Sequence, residues 1–170
     1  RKIFNEIFHG KIRLVHVPHR YWADEPEKHG VNQLRVIGAA DEASMAAGLN
    51  FYNQILGIPL FQVSTLEVAE MCKIAENSHR YLQIAFAEEL KLITAELGID
   101  FNELRAAMNT KWNVDLPEAR QGIGGHCLPK DIRYVISIAH EKAWLLQAAI
   151  KVDQNYREWL SKNPQNRQKP

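Results

Sequence analysis

The chain has 170 residues, 46% of them hydrophobic and 24% charged, the balance of an ordinary globular protein with enough chain to bury a core. A formal net charge of +1 leaves no strong field to draw it to nucleic acid or to an anionic membrane. No apolar run approaches the ~18 residues that span a bilayer, and no signal-peptide pattern is present. Two cysteines, Cys72 and Cys127, are expected as free thiols in a reducing compartment, the cytoplasm. With no CxxC pair and no HExxH, no metal site is signalled. Arg1 stands where an initiator methionine would, so removal of an upstream segment is expected.

The alternation from Lys11 to Val17, ended by Pro18, predicts a strand. His19 to Gln33 is polar and turn-rich, too long for a tight turn and readable as a functional loop. Leu34 to Gly38 reads as a second strand. Met45, Leu49, Tyr52 and Leu56 then predict an amphipathic helix over Asp41 to Leu56, ended by Gly57. Ile58 to Val63 follows as a strand. This order predicts the closing half of a doubly wound α/β domain, a partial Rossmann-like lead-in over residues 1–63. No GxGxxG follows a strand, so cofactor-binding residues cannot be assigned.

Ser64-Thr65-Leu66-Glu67 reads as a capping box with Ser64 as N-cap. It opens a helix to Leu97, roughly 50 Å long at about 1.5 Å per residue, which Gly98 stops. Val68, Cys72, Ala75, Leu82, Phe86, Leu90, Ile93 and Leu97 form one apolar stripe, on which Cys72 reads as a small core residue and His79 as a packing histidine. So long a helix exceeds what the remaining residues could wrap, and a homodimer through residues 65–97 is expected. A second capping box, Asp100 to Glu103, starts a shorter helix to about Met108. Thr110 to Gln121 is irregular. The fold class is thus a strand-helix-strand α/β lead-in followed by a mainly α-helical dimerisation domain, residues 64–160, with a polar tail at 161–170. The basic residues from Lys162 to Lys169 belong to that solvated tail.

Two places carry chemistry. Gly122-Ile123-Gly124-Gly125-His126-Cys127-Leu128-Pro129-Lys130-Asp131 sets a cysteine behind three glycines and before a helix whose first position suits Pro129. Free backbone N–H groups and the helix dipole at that place favour an anion, and so a thiolate. Asp131, four residues on, returns to the cysteine's side of the helix. Glycines leave the backbone open to a substrate, and a thiolate beside them suits covalent catalysis. A buried structural cysteine is the competing reading. On the long helix, Glu70, Lys73, Asn77 and Arg80 share a face, where lysine and asparagine could both bond a substrate oxygen. A solvated face with ordinary ion pairs is the competing reading there. After Pro129 the helix is expected to run toward Ile138, and a last one covers Trp144 to Leu160.

Gly124-Gly125-His126-Cys127-Leu128-Pro129-Lys130-Asp131 resembles the signature of the nucleotide-sugar 6-dehydrogenases, the UDP-glucose and GDP-mannose dehydrogenase family. Ala69-Glu70-Met71-Cys72-Lys73-Ile74-Ala75-Glu76-Asn77 resembles that family's helix carrying a catalytic Lys and Asn. Arg35-Val36-Ile37-Gly38 with Asp41-Glu42 is similar to the segment after its substrate loop. The resemblance covers about residues 11 to 155. It implies an NAD-dependent, two-step oxidation of a sugar C6 alcohol to a carboxylate on a nucleotide-sugar substrate. By carry-over Cys127 is the nucleophile, Lys73 steadies the oxyanion, and Asn77 with Asp131 places a water or relays protons. Gly124, Gly125 and Lys130 would meet the substrate. Where many relatives have a Pro-Glu whose glutamate assists thioester hydrolysis in the substrate loop, this chain has Pro18-His19 followed by Arg20-Tyr21-Trp22. His19 could act as the base, with nearby Asp24 and Glu25 as substitutes, and a plain surface histidine is the competing reading. The resemblance implies a core fragment, or the product of a divided gene. A non-catalytic dimerisation piece and a 3-hydroxyacid-type dehydrogenase, which shares the Lys-xxx-Asn helix, are the alternatives.

Overall fold

The computed structural model describes residues 2–9, 11–20, 27 and 33–166. The chain divides into two compact units, residues 1–73 and 74–170, with the division falling inside the long helix. Tyr21, Trp22, Asp24 and Glu25 of the expected substrate loop, and the last four residues of the tail, lie outside the described residues.

The first unit holds a three-stranded sheet, β1 (Val15–His16), β2 (Arg35–Ala39) and β3 (Leu60–Gln62), in that spatial order. A short helix α1, Lys2–Phe8, precedes them where the sequence signalled no element. β2 pairs in parallel with β3, matching Arg35 to Leu60 and Ile37 to Gln62. Such a pair needs a crossover, and α2 (Glu42–Leu49) supplies it. β1 runs antiparallel to β2 on the other side. The expected strand from Lys11 to Val17 shrinks to two residues. Leu14 donates its N–H to Ser44 Oγ (3.2 Å), and Pro18 has no N–H to extend a ladder.

Asp41 caps α2 by accepting from the Ser44 N–H at 2.7 Å. Beyond Leu49 the helix widens into a π-helical stretch, Asn50–Ile55, and Gly57 ends it at φ +68°. The face it buries differs from the expected stripe: Ser44 and Gly48 are buried, Met45, Leu49 and Tyr52 are half-buried, and Leu56 is exposed. A Cβ on Gly48 would stand 2.8 Å from both Ile37 Cδ1 and Val15 Cγ1, so small residues let helix and sheet approach closely. Gly38 does the same for the start of α3 (Leu66–Leu97), since a Cβ there would lie 2.3 Å from the Thr65 carbonyl oxygen. The cap of α3 is Thr65 rather than Ser64: its Oγ1 accepts the Val68 N–H at 3.2 Å. Cys72 is half-buried and accepts from Arg20 Nη2 at 3.6 Å, a polar contact where a plain core cysteine was expected.

The second unit packs the rest of α3 with α4 (Phe101–Met108), α5 (Cys127–Ala139) and α6 (Trp144–Lys162). Gly98 stops α3 at φ +68°, and Asp100 caps α4 through the N–H groups of Asn102 and Glu103. One core cluster joins Ala87, Phe101, Leu116, Ala119, Tyr156 and Leu160; another joins Tyr81, Ala85, Ile123, Ile132 and Ala149. The apolar stripe read along α3 is not the buried one. Val68, Ala75, Phe86, Ile93 and Leu97 are exposed, Leu97 by 66%, and Cys72, Leu82 and Leu90 are half-buried. His79 is exposed too, not a packing histidine. Within this unit α3 buries Ser78, Tyr81, Ala85, Ala87, Glu88 and Thr94 instead. Alanines permit close helix contact, so the bulky residues are left outward. Phe86, Leu82, Leu145, Ala148 and Val152 line a shallow groove between α3 and α6 on that outward side.

Candidate active site around the cysteine loop

Irregular chain from 113 to 126 leads into the cysteine loop, and Gly122 and Gly125 take φ of +92° and +80°, conformations glycine reaches freely. α5 begins at Cys127 itself, two residues before the expected start at Pro129. Pro129 still falls in the first turn, where its missing N–H leaves no intrahelical bond unmade. Cys127 is therefore the first residue of a 13-residue helix, at the end where the dipole favours negative charge, and it is exposed. Gly124, Gly125 and His126 are exposed as well. A Cβ on Gly124 or Gly125 would meet nothing within 4 Å, so the loop backbone is open to a ligand.

One turn into α5, Asp131 is buried and accepts from Asn77 Nδ2 of α3 at 2.5 Å. Its other oxygen lies 2.7 Å from Lys130 Nζ, and this bond raises the Lys130 ammonium above the usual lysine range. Asn77, Lys130 and Asp131 are thus brought together, with Cys127 one helical turn before Asp131. Lys73 precedes Asn77 by one turn of α3 and is half-buried. The polar face read around them divides: Glu70 and Arg80 are exposed, Arg80 bonding Gln83, whereas Lys73 and Asn77 are half-buried. His19 follows the buried Pro18 in the first unit and is exposed.

A second set of residues holds the loop from behind. Asp153 Oδ1 on α6 accepts the Ile123 N–H at 2.7 Å, and Arg157 Nη2 donates to the Ile123 carbonyl at 2.8 Å. Arg157 Nε also donates to both Asp153 oxygens at 3.0 Å, and the Tyr81 hydroxyl of α3 donates to Asp153 Oδ2 at 3.2 Å. Behind them Glu88 is fully buried and neither of its oxygens has a hydrogen-bond partner. Burial, with Asp153 adding repulsion, pushes its carboxyl up to about 8. Burial likewise raises the Tyr81 and Tyr156 phenols. None of these residues was singled out from the sequence. Asp153 and Arg157 are an acid and a base four apart on a helix, the commonest surface pattern, and only their loop partner marks them.

A dinucleotide needs a glycine-rich turn ahead of a free helix N-terminus. The turn from β2 into α2 instead presents the Asp41 carboxylate at the helix start, where it would repel a pyrophosphate. That turn therefore does not fit a dinucleotide phosphate site. Among the described residues, no group of three or more His, Cys, Asp or Glu could hold a metal ion.

Residues 67–155, just over half of the chain, match the UDP-glucose/GDP-mannose dehydrogenase family, central domain. The chain belongs to this family. It is similar to an NDP-N-acetyl-D-galactosaminuronic acid dehydrogenase of Ralstonia nicotianae, 32% identical over 84% of this chain and 33% of that protein. It is also similar to a UDP-N-acetyl-D-mannosamine dehydrogenase of Salmonella typhi, 31% identical over 88% of this chain and 35% of the relative. Among solved structures, a UDP-D-ManNAc dehydrogenase from Pyrococcus horikoshii superposes with a TM-score of 0.78 at 28% identity, covering 87% of this chain and 35% of that one. The chain spans about a third of the length of the curated relatives it matches. Within the dehydrogenase family's central domain fall Lys73, Asn77, Cys127, Lys130 and Asp131, and also Asp153. No described helix is long and apolar enough to cross a membrane.

Proposed function

We propose that this chain is the catalytic and dimerising core of an NAD-dependent nucleotide-sugar 6-dehydrogenase. Residues 1–63 form the end of its dinucleotide domain and residues 64–160 its central domain. The observation that carries the reading is the Asn77–Asp131 hydrogen bond, which couples the Lys-xxx-Asn helix to the helix that begins with Cys127. Bound NAD would supply the two-electron acceptor, held mainly by residues other than those described.

The chain's own residues do the rest. Asn77 and Asp131 orient a water that takes the proton leaving the sugar C6 hydroxyl in the first oxidation. The Cys127 thiolate then adds to C6 of the aldehyde: a C–S bond forms and the carbonyl pair moves onto oxygen, where the Lys73 ammonium steadies it. Loss of hydride from this thiohemiacetal leaves a thioester. Water adds to it, the thiolate leaves, and the carboxylate is released. Gly124 and Gly125 admit the sugar because they place no side chain in its way. Lys130 steadies its phosphates or hydroxyls, and His19 stands in for the loop glutamate as base. Such an enzyme works in the cytoplasm on UDP- or GDP-linked sugars, with no nucleic-acid or membrane partner.

The test is product stoichiometry in an assembly that joins this chain to the rest of its relatives' length, given NAD⁺ and a panel of UDP- and GDP-sugars. Two NADH per sugar acid are expected. One NADH per product, with an aldehyde or ketone as the end point, would sink the four-electron reading and favour a simple hydroxyacid-type dehydrogenase. The exposed apolar side chains of α3 and α6, Phe86, Leu145 and their neighbours, support a homodimer through residues 65–97. Sedimentation equilibrium should give twice the chain mass, and a monomer mass at micromolar concentration would contradict it.

A further inference from the structure

We propose that Asp153 and Arg157 are positioning residues for Cys127, acting through the Ile123 peptide. The proposal rests on the reading of Cys127 as the nucleophile. Ile123 lies four residues before Cys127, and between them come Gly124, Gly125 and His126, all exposed and none held by side-chain packing at Gly124 or Gly125. A segment so open needs an anchor if its cysteine is to sit reproducibly at a helix start. Ile123 is that anchor. Its side chain is buried in the cluster with Tyr81, Ile132 and Ala149, and both of its peptide groups are taken by α6.

The anchor is built for one arrangement. Arg157 lies so close along Gly122 that a Cβ there would stand 2.6 Å from Cζ, at a φ that already disfavours any other residue. Asp153 gathers the Ile123 N–H, the Tyr81 hydroxyl and the Arg157 guanidinium, and so ties the loop to α3 and α6 at once. An ordinary surface pair four residues apart on a helix has no such partners, and its loss moves nothing. Glu88, buried without a hydrogen bond beside Asp153, is kept in its neutral form and leaves Asp153 as the acid that answers Arg157. Small displacements of a reacting group are costly out of proportion to their size. Here the displacement would carry the thiol away from the N-terminal turn of α5.

The experiment is the rate of Cys127 alkylation by iodoacetamide, followed by peptide mass spectrometry on this chain, in the wild type and in Arg157→Ala and Arg157→Lys. Arg157→Ala should slow Cys127 roughly two- to fivefold at neutral pH, the factor that the field of a helix N-terminus is worth to a thiolate. Cys72 should keep its rate, and Arg157→Lys, which can still pair with Asp153, should fall between. Unchanged Cys127 kinetics in a folded Arg157→Ala, judged by circular dichroism, overturns the proposal. Amide hydrogen exchange in the wild type needs no variant. The Ile123 N–H should be protected like the interior of α6, and exchange as fast as at Gly124 and Gly125 overturns the proposal. The two readings separate cleanly: a wild-type Cys127 no faster than a free cysteine undermines the nucleophile, whereas a fast thiol indifferent to Arg157 undermines the clamp alone.

Discussion

At the scale of single residues, the chain concentrates its unusual electrostatics behind the cysteine loop. Cys127 is exposed and its loop is open, while Asp131, Asp153 and Glu88 are buried within the second unit. Asp131 and Asp153 are answered by hydrogen bonds from Asn77, Lys130, Tyr81 and Arg157; Glu88 is answered by none. A buried carboxyl without partners holds its proton, and this one titrates at about 8 against an ordinary 4.5. The folded chain therefore binds that proton more tightly than the unfolded chain. Its contribution is fully present below the unfolded value and is lost as pH rises through the folded one, by up to about 1.4 kcal/mol per pH unit. Urea unfolding of the wild type and Glu88→Gln across that window checks it. The stability of the wild type relative to the variant should fall as pH rises, and a pH-independent difference would show Glu88 to be ionised or solvated.

At the scale of elements, the punctuation of this chain was legible and the partners of its helices were not. Gly57, Gly98 and Asp100 end or start helices where their chemistry predicted, because caps and left-handed stops are local. The cap of α3 shows how close two readings can lie. Ser64 and Thr65 are neighbours, both able to cap, and the helix start at Leu66 selects Thr65. Thr65→Ala should therefore cost about 1 kcal/mol in thermal or urea unfolding. Ser64→Ala should stay within about 0.5 kcal/mol. The reverse order would return the cap to Ser64. The apolar stripe misled for a physical reason. α3 is partnered inside its unit through Ala85, Ala87, Ser78 and Glu88, so its strongest hydrophobic periodicity points outward. Likewise α2 meets the sheet through Ser44 and Gly48 rather than through Met45 and Leu49. Within the candidate site Cys127, Asn77 and Asp131 were visible because each belongs to a compact motif. Asp153 and Arg157 were not, since their loop partner is about thirty residues away in sequence.

At the scale of the whole molecule, the chain is a member of the UDP-glucose/GDP-mannose dehydrogenase family that spans about a third of its curated relatives. Its described residues include Cys127, Lys73, Asn77 and Asp131, to which the proposed chemistry is assigned, and the turn from β2 into α2 is not a dinucleotide cradle. The outward apolar side chains of α3 and α6 and the open glycines at the cysteine loop are the surfaces that the proposed dimer and the proposed substrate would cover. The proposed chemistry turns on one covalent step on sulfur. The most direct test is Cys127→Ser in the assembly that joins this chain to the remainder of its relatives' length, with sugar acid measured against alcohol–aldehyde exchange. Acid formation should stop while exchange persists, because only the second oxidation needs a thioester. Acid formed at the wild-type rate without the Cys127 sulfur would rule out a thioester on Cys127.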